Sequence, residues 1–352
     1  ILLGVVFVLV LTAIVLPLAR TLLILMETPS EIVDGAYDFI SIIFAGLIVF
    51  LLLYLQNCLV RALGDSKTPT IILAITLGIN IALEPVAILV LGWGIPGAAG
   101  ATVFSQAIGA LIFYIYIRRR IPALHTHWSD WKPNGAVLMA HLRMGLPMAF
   151  QSSVIAIGAI ILQVALNNLG ALPVAAYAAT QKIDAVAVMP MLSFGYAMAA
   201  YTAQNYGAQQ YERIRMGVRA CLKMSMAFAV GIGILLIAFG TFFLELFVGA
   251  DAEGAAAVIA YGHTFLIVNG SCYIILALLL VYRNVLQGLG QSVIPTIAGA
   301  MELIMRAAAA IFLCSSLGFL GACMANPLAW IGAAIPVVLA YLWTEKTLRQ
   351  TA

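Results

Sequence analysis

The chain has 352 residues, 64% of them hydrophobic and only 9% charged, with a net charge of +3 and a mean hydropathy of +1.09. Soluble domains carry roughly 25% charged residues, so this chain cannot coat a water-facing surface, and its apolar content is the opposite of a disordered segment's. A charge of +3 over this length makes no basic face for nucleic acid.

A bilayer core about 30 Å thick needs about 20 apolar helical residues to cross it. Taken in chain order, ten stretches qualify: residues 1–26, 35–60, 70–93, 97–118, 145–168, 171–205, 217–248, 254–282, 294–315 and 318–344. Runs this long do not alternate every second residue, which excludes barrel strands. The fold class expected is all-α, integral to the membrane, with ten transmembrane helices.

The first run begins at Ile1 inside apolar sequence, with no initiator Met and no basic leader of a signal peptide. The longest polar interruption, Arg118 to Arg143, divides the chain. It holds His125-Thr126-His127 beside Trp128 and Trp131, a pattern of solvated or interfacial residues. Neither these histidines nor His141 and His263 have ligand spacing, and Cys58, Cys221, Cys272, Cys314 and Cys323 stand singly as helix-packing residues. No metal and no cofactor is expected. The absence of HExxH, GxSxG and Walker motifs argues against an enzyme and against direct use of ATP, and no filter-like loop suggests a channel.

Assigning the connections alternately to two sides places fourteen of the seventeen basic residues on one side, from Arg61 and Lys67 to Arg283, Lys346 and Arg349. The opposite connections hold no basic residue but carry Glu27, Glu31, Asp34, Asp251 and Glu253. The basic side is expected to be cytoplasmic, in a cell inner membrane crossed many times.

The two parts repeat. Leu63-Gly64-Asp65-Ser66-Lys67-Thr68-Pro69-Thr70 aligns with Leu289-Gly290-Gln291-Ser292-Val293-Ile294-Pro295-Thr296, and Gly94-Ile95-Pro96-Gly97-Ala98 with Gly318-Phe319-Leu320-Gly321-Ala322. Both copies enter from one side, so the repeat is parallel. Its offset implies about two helices ahead of residue 1, hence two six-helix lobes. The lobes expected are 1–120, with the first two helices missing, and 144–352, joined by a cytoplasmic loop at 121–143.

Several segments in order carry a resemblance. They are Arg61 to Pro69, Asn80 to Pro85, Gly94 to Ala101, Gly145-Leu146-Pro147, Ala178 to Asp184, Gln204 to Ala208, Gln287 to Gly290 and Ala325 to Trp330. Together they make the chain similar to the multidrug and toxic compound extrusion (MATE) transporters, most of all to bacterial members, from the third to the twelfth family helix. The resemblance implies export of cationic or amphipathic compounds by a monomer, driven by Na⁺ or H⁺ through alternating access of two lobes. A lipid-linked saccharide flippase of the same superfamily is the alternative. Some members carry a glutamate about ten residues after the Gly-Leu-Pro. Here that place is Ile155.

Ionisable side chains inside a bilayer cost at least ~2.5–3.5 kcal/mol unless paired or hydrated. Arg20 reads as snorkelling outward, and Glu84, before Pro85, either satisfies freed backbone or lines a cavity. Lys182 and Asp184 lie about 15 and 18 Å below the outer end of their helix, and Glu302 and Arg306 about 12 and 18 Å above the inner end of theirs. At one depth these four predict pairing, Lys182–Glu302 with Asp184–Arg306 or the reverse, either as an inert lock or as an ion-coupling site. Gln151, Ser152, Ser153, Gln181 and Gln204 add polar lining or helix–helix bonds. Met189, Met191 and Tyr177 offer a soft apolar wall, and Pro85, Pro147 and Pro190 are the expected kinks.

Overall fold

The computed structural model describes residues 1–25, 30–126, 131–249 and 254–351. Glu27, His127, Trp128, Asp251 and Glu253 fall outside them. The first compact unit, Ile1–Leu138, contains α1 (Leu2–Leu25), α2 (Ser30–Ala45), α3 (Leu47–Ala62), α4 (Lys67–Pro85) and α5 (Gly94–Arg120). The second, Met139–Ala352, contains nearly all of α6 (Gly135–Asn167), then α7 (Ala171–Gly207), α8 (Tyr211–Val248), α9 (Ala255–Gly288), α10 (Val293–Ala308), the short α11 (Cys314–Leu317) and α12 (Phe319–Thr351). The division falls inside α6, which starts well before the expected lobe start at residue 144.

Among the described residues nine helical stretches are long and apolar enough to cross a membrane, and a tenth arises if α2 and α3 form one span. These two, expected as one helix over 35–60, meet at Gly46 with a 48° bend. A Cβ on Gly46 would lie 2.5 Å from Val103 of α5. Only glycine lets the two helices approach this closely. The protein is a multi-pass, all-α membrane protein, and helices such as α7 and α8, at 37 and 38 residues, exceed what a bilayer needs.

The sequence repeat is present in the backbone. Gly64 and Gly290 end α3 and α9 at φ +95° and +80°, and Gly94 and Gly318 open the last long helix of each unit at φ +56° and +58°. Before each of the latter, the preceding helix passes into a five-residue π-helical stretch, Val86–Val90 in the first unit and Ala309–Leu313 in the second. Such stretches are rare. Each is seated on the matching glycine of the next helix. A Cβ on Gly97 would sit 3.1 Å from the Ala87 carbonyl, and one on Gly321 would collide with the Leu313 carbonyl. The loop residue after each C-capping glycine also ties back to the last helix of its unit. Asp65 accepts from the Tyr116 hydroxyl at 2.8 Å, and the Gln291 amide donates to Thr344 at 3.3 Å.

Helix α9 is the centre of the second unit: 56% of its most apolar stretch is buried, against 11% for α1. Leu162, Met191, Phe265, Leu266, Tyr273 and Leu286 are fully buried around it. Small residues permit the crossing of α8 and α9, where a Cβ on Gly233 would lie 2.6 Å from the Gly270 carbonyl. Pro147 cannot donate to the Arg143 carbonyl one turn earlier. The Ser292 hydroxyl donates to that carbonyl instead, at 3.3 Å, and Thr296 donates to the Pro147 carbonyl at 3.0 Å.

Candidate functional site

The buried charges of the second unit come from three helices. Asp184 lies on α7, Arg283 on α9, and Glu302 and Arg306 on α10, and all four are buried. The pairing differs from the one expected. Glu302 is bonded to Arg283, which approaches from the neighbouring helix. Asp184 accepts the Tyr273 hydroxyl of α9 at 2.6 Å. Arg306 donates from Nη1 to the Ile155 carbonyl of α6 at 3.3 Å and stacks its stem over Gly158, where a Cβ would meet the guanidinium at 3.3 Å. Lys182 is exposed and has no hydrogen bond or ion pair among the described residues.

Helix geometry explains the correction. At 3.6 residues per turn, residues two apart point about 200° away from each other. Asp184 therefore faces inward with the buried Ile183, Ala187 and Met191, and Lys182 faces outward. Arg283, expected at the cytoplasmic flank, is 8% exposed. Its guanidinium meets Glu302 of α10, and a depth count made on Cα positions misses the reach of an arginine side chain.

The result is an unevenly matched set. Glu302 and Arg283 form an ion pair, Asp184 has a neutral donor, and Arg306 has no acid within ion-pair distance among the described residues. The Nε atoms of both arginines are buried without a partner among them. Tyr177, itself buried, lies within electrostatic range of both Arg306 and Asp184. Tyr273 is fixed from the far side by its ring, 6.1 Å from that of Trp330 on α12.

The uncharged candidates divide. Gln151 is buried and accepts at 3.3 Å from the Gln287 amide of α9, beside Gly299, where a Cβ would lie 2.7 Å from the Gln151 side chain. It joins α6, α9 and α10 and is a packing bond. Ser152 and Ser153 are exposed and donate to carbonyls of their own helix. Gln181 donates to the Tyr177 hydroxyl, and Gln204 is exposed on α7. Met191 and Tyr177 belong to the core, while Met189 is exposed.

In the first unit, Glu84 is half-buried and has no side-chain hydrogen bond among the described residues, so it does not bond backbone freed by Pro85. Arg20 pairs with Asp34 at 2.9 Å with both side chains exposed, a geometry worth little in stability. Arg283 and Tyr273 are the residues that sequence reasoning did not bring to the site. Burial of an arginine about one and a half turns from a helix end leaves no trace in hydropathy, and a tyrosine in an apolar run reads as packing.

The sequence profile of the MatE family matches residues 1–86 and 147–312. Probable multidrug resistance protein YpnP of Bacillus subtilis (strain 168) is 28% identical over 259 residues, which cover 72% of this chain and 57% of that one. Probable multidrug resistance protein YoeA of the same organism is 30% identical over 230 residues, 63% of this chain and 50% of that one. The chain thus spans about half the length of these relatives. A solved MOP superfamily transporter from Pyrococcus furiosus Vc1 has the same fold, with a TM-score of 0.89 at 21% identity, covering 99% of this chain and 77% of that one. With the profile matching well over half of its length, the chain belongs to the MatE family, whose members are transporters and not enzymes.

Proposed function

We propose that the protein is a secondary active exporter of amphipathic small molecules, driven by an inward Na⁺ or H⁺ gradient and working by alternating access of two lobes in the cytoplasmic membrane. Family membership and the multidrug resistance names of its relatives support export. The observation that carries coupling is Asp184, a buried carboxylate held by a tyrosine hydroxyl and by no cation among the described residues. An acid in this setting is costly unless it takes up a proton or a cation, and its occupancy then biases which state the lobe prefers. Glu302 is the second acid of the site, and its exchange between Arg283 and an incoming ion is the corresponding step there. The test is export of a fluorescent amphiphile from proteoliposomes under an imposed pH or Na⁺ gradient. Gradient-dependent export supports the proposal, and equal rates with and without either gradient contradict it.

A further inference from the structure

The sequence of α8 fixes its place in the bilayer. From Met224 to Leu244 it carries no charged residue, a run of about 20 residues or about 30 Å, which matches the hydrocarbon thickness. Every side chain that it exposes from Met224 to Phe239 is apolar, with Met224, Ile234 and Phe239 the largest. An exposed face without a polar group over this length is a lipid-facing one.

Ahead of that run, α8 extends from Tyr211 to Lys223 and carries Arg213, Arg215, Arg219 and Lys223. By the positive-inside rule this end is cytoplasmic. Lys223 borders the hydrocarbon, and Arg219 stands about one turn further out, at headgroup level.

The four cations are not equivalent. Arg215 is held by Glu345 of α12 at 3.0 Å and by Glu212 at 2.5 Å, so it is engaged by both acids. Arg219 reaches the same Glu345 oxygen only at 3.8 Å, with 60% of its side chain exposed. Lys223 is exposed and has no ion pair among the described residues. Arg219 and Lys223, four residues apart, share one face, and Ala227, Val230 and Ile234 continue it into the hydrocarbon at spacings of four, three and four. Arg213 lies about 15 Å beyond Lys223 along the axis and about 80° around the helix from this face.

We infer that this face of α8 is a binding site for an anionic phospholipid of the cytoplasmic leaflet. Its phosphate oxygens accept from the Arg219 guanidinium and the Lys223 ammonium, and an acyl chain lies along Ala227, Val230 and Ile234. Charge complementarity selects this occupant. Two cations with little acid of their own stand at headgroup depth, where the leaflet surface is negative, and a guanidinium matches phosphate geometry. Glu345 stays with Arg215, so the lipid takes the arginine that this acid holds weakly. The inference concerns the protein at rest in its bilayer and does not depend on the export reading.

The test is native mass spectrometry of the purified protein in detergent, titrated with phosphatidylglycerol and with phosphatidylcholine of the same chains. Wild type is expected to retain phosphatidylglycerol in preference. Lys223→Gln should weaken that retention about fivefold, and Arg219→Gln together with Lys223→Gln about thirtyfold, with phosphatidylcholine unaffected. Lys223→Arg keeps the charge and should retain the lipid. Arg213→Gln removes one charge from the same end of α8 but off this face, and should leave retention at the wild-type level. All three positions are exposed, so unchanged thermal unfolding in lipid-free detergent is expected and is measured alongside. Equal losses from Arg213→Gln and Lys223→Gln would reduce the effect to the general charge of this end and overturn the site. Equal retention of the two lipids by wild type would overturn it too, as would full displacement of phosphatidylglycerol by millimolar inorganic phosphate, which would make the site one for the free anion.

Discussion

Glu302 takes its cation from Arg283 of the neighbouring helix, and not from Arg306, one turn along its own. Removing one member of a buried pair leaves the other charge uncompensated, at a cost of ~3–5 kcal/mol. Glu302→Gln should therefore lower stability strongly. Adding Arg283→Met should restore part of the loss, whereas adding Lys182→Met should restore none. Thermal unfolding in detergent reads all three, and rescue by Lys182→Met would mean that the pairing is different.

Tyr273→Phe keeps the ring against Trp330 and removes only the donor to Asp184. A buried acceptor left without its partner costs about 1–3 kcal/mol. The melting temperature should fall accordingly, and Asp184→Asn combined with Tyr273→Phe should cost less than the sum of the two changes, since both break one bond. Additive losses in a double-mutant cycle would show that the hydroxyl bonds elsewhere.

Much of the fold was legible before the structure, and the site was less so. Charge asymmetry and apolar run length located the spans, because a bilayer imposes length and flank chemistry directly. The repeat was readable at Gly64/Gly290 and Gly94/Gly318, where positive φ demands glycine. The π-helical stretches were not, since nothing in Val86–Val90 or Ala309–Leu313 distinguishes them from ordinary helix. Depth counted along each helix grouped these charges but carried no information on which way they point or which partners they meet. Lys182 and Asp184, two residues apart, lie on opposite faces of α7, one exposed and one buried. Arg283 was assigned by its Cα to the flank, and its guanidinium lies in the core.

The α8–α9 crossing supplies a packing test with an internal control. Gly233 faces the Gly270 backbone, whereas a Cβ on Gly231 would have nothing within 4 Å. Gly233→Ala should cost about 1–3 kcal/mol through overpacking. Gly231→Ala should be neutral or slightly stabilising, as expected for glycine replaced in a helix. Equal effects of the two in thermal unfolding would contradict the close approach.

Asp65 lies outside the membrane-spanning helices. The Thr68 side chain above all, then the Thr68 backbone N–H and the Tyr116 hydroxyl, hold its carboxyl below the usual carboxylate value of 3.8. A group with a lowered folded pKa adds stability that is complete above its unfolded value and is lost as pH falls through the folded one. Wild type should therefore lose stability below about pH 4, and Asp65→Asn should lose this part of the dependence. At neutral pH that variant should cost little, because an Asn side-chain oxygen still accepts from the Thr68 N–H. Parallel pH profiles for the two proteins in thermal unfolding would contradict the assignment.

The claim that buried carboxylates couple the ion gradient to export is tested most directly by gradient-driven export in proteoliposomes. Wild type is compared there with Asp184→Asn and with the charge-balanced pair Glu302→Gln and Arg283→Met. Each is scored beside its thermal stability. The account predicts that both variants stay folded and bind cargo, but lose export against a concentration gradient. Wild-type concentrative export from the folded variants would contradict it and leave Asp184, Glu302 and Arg283 as structural.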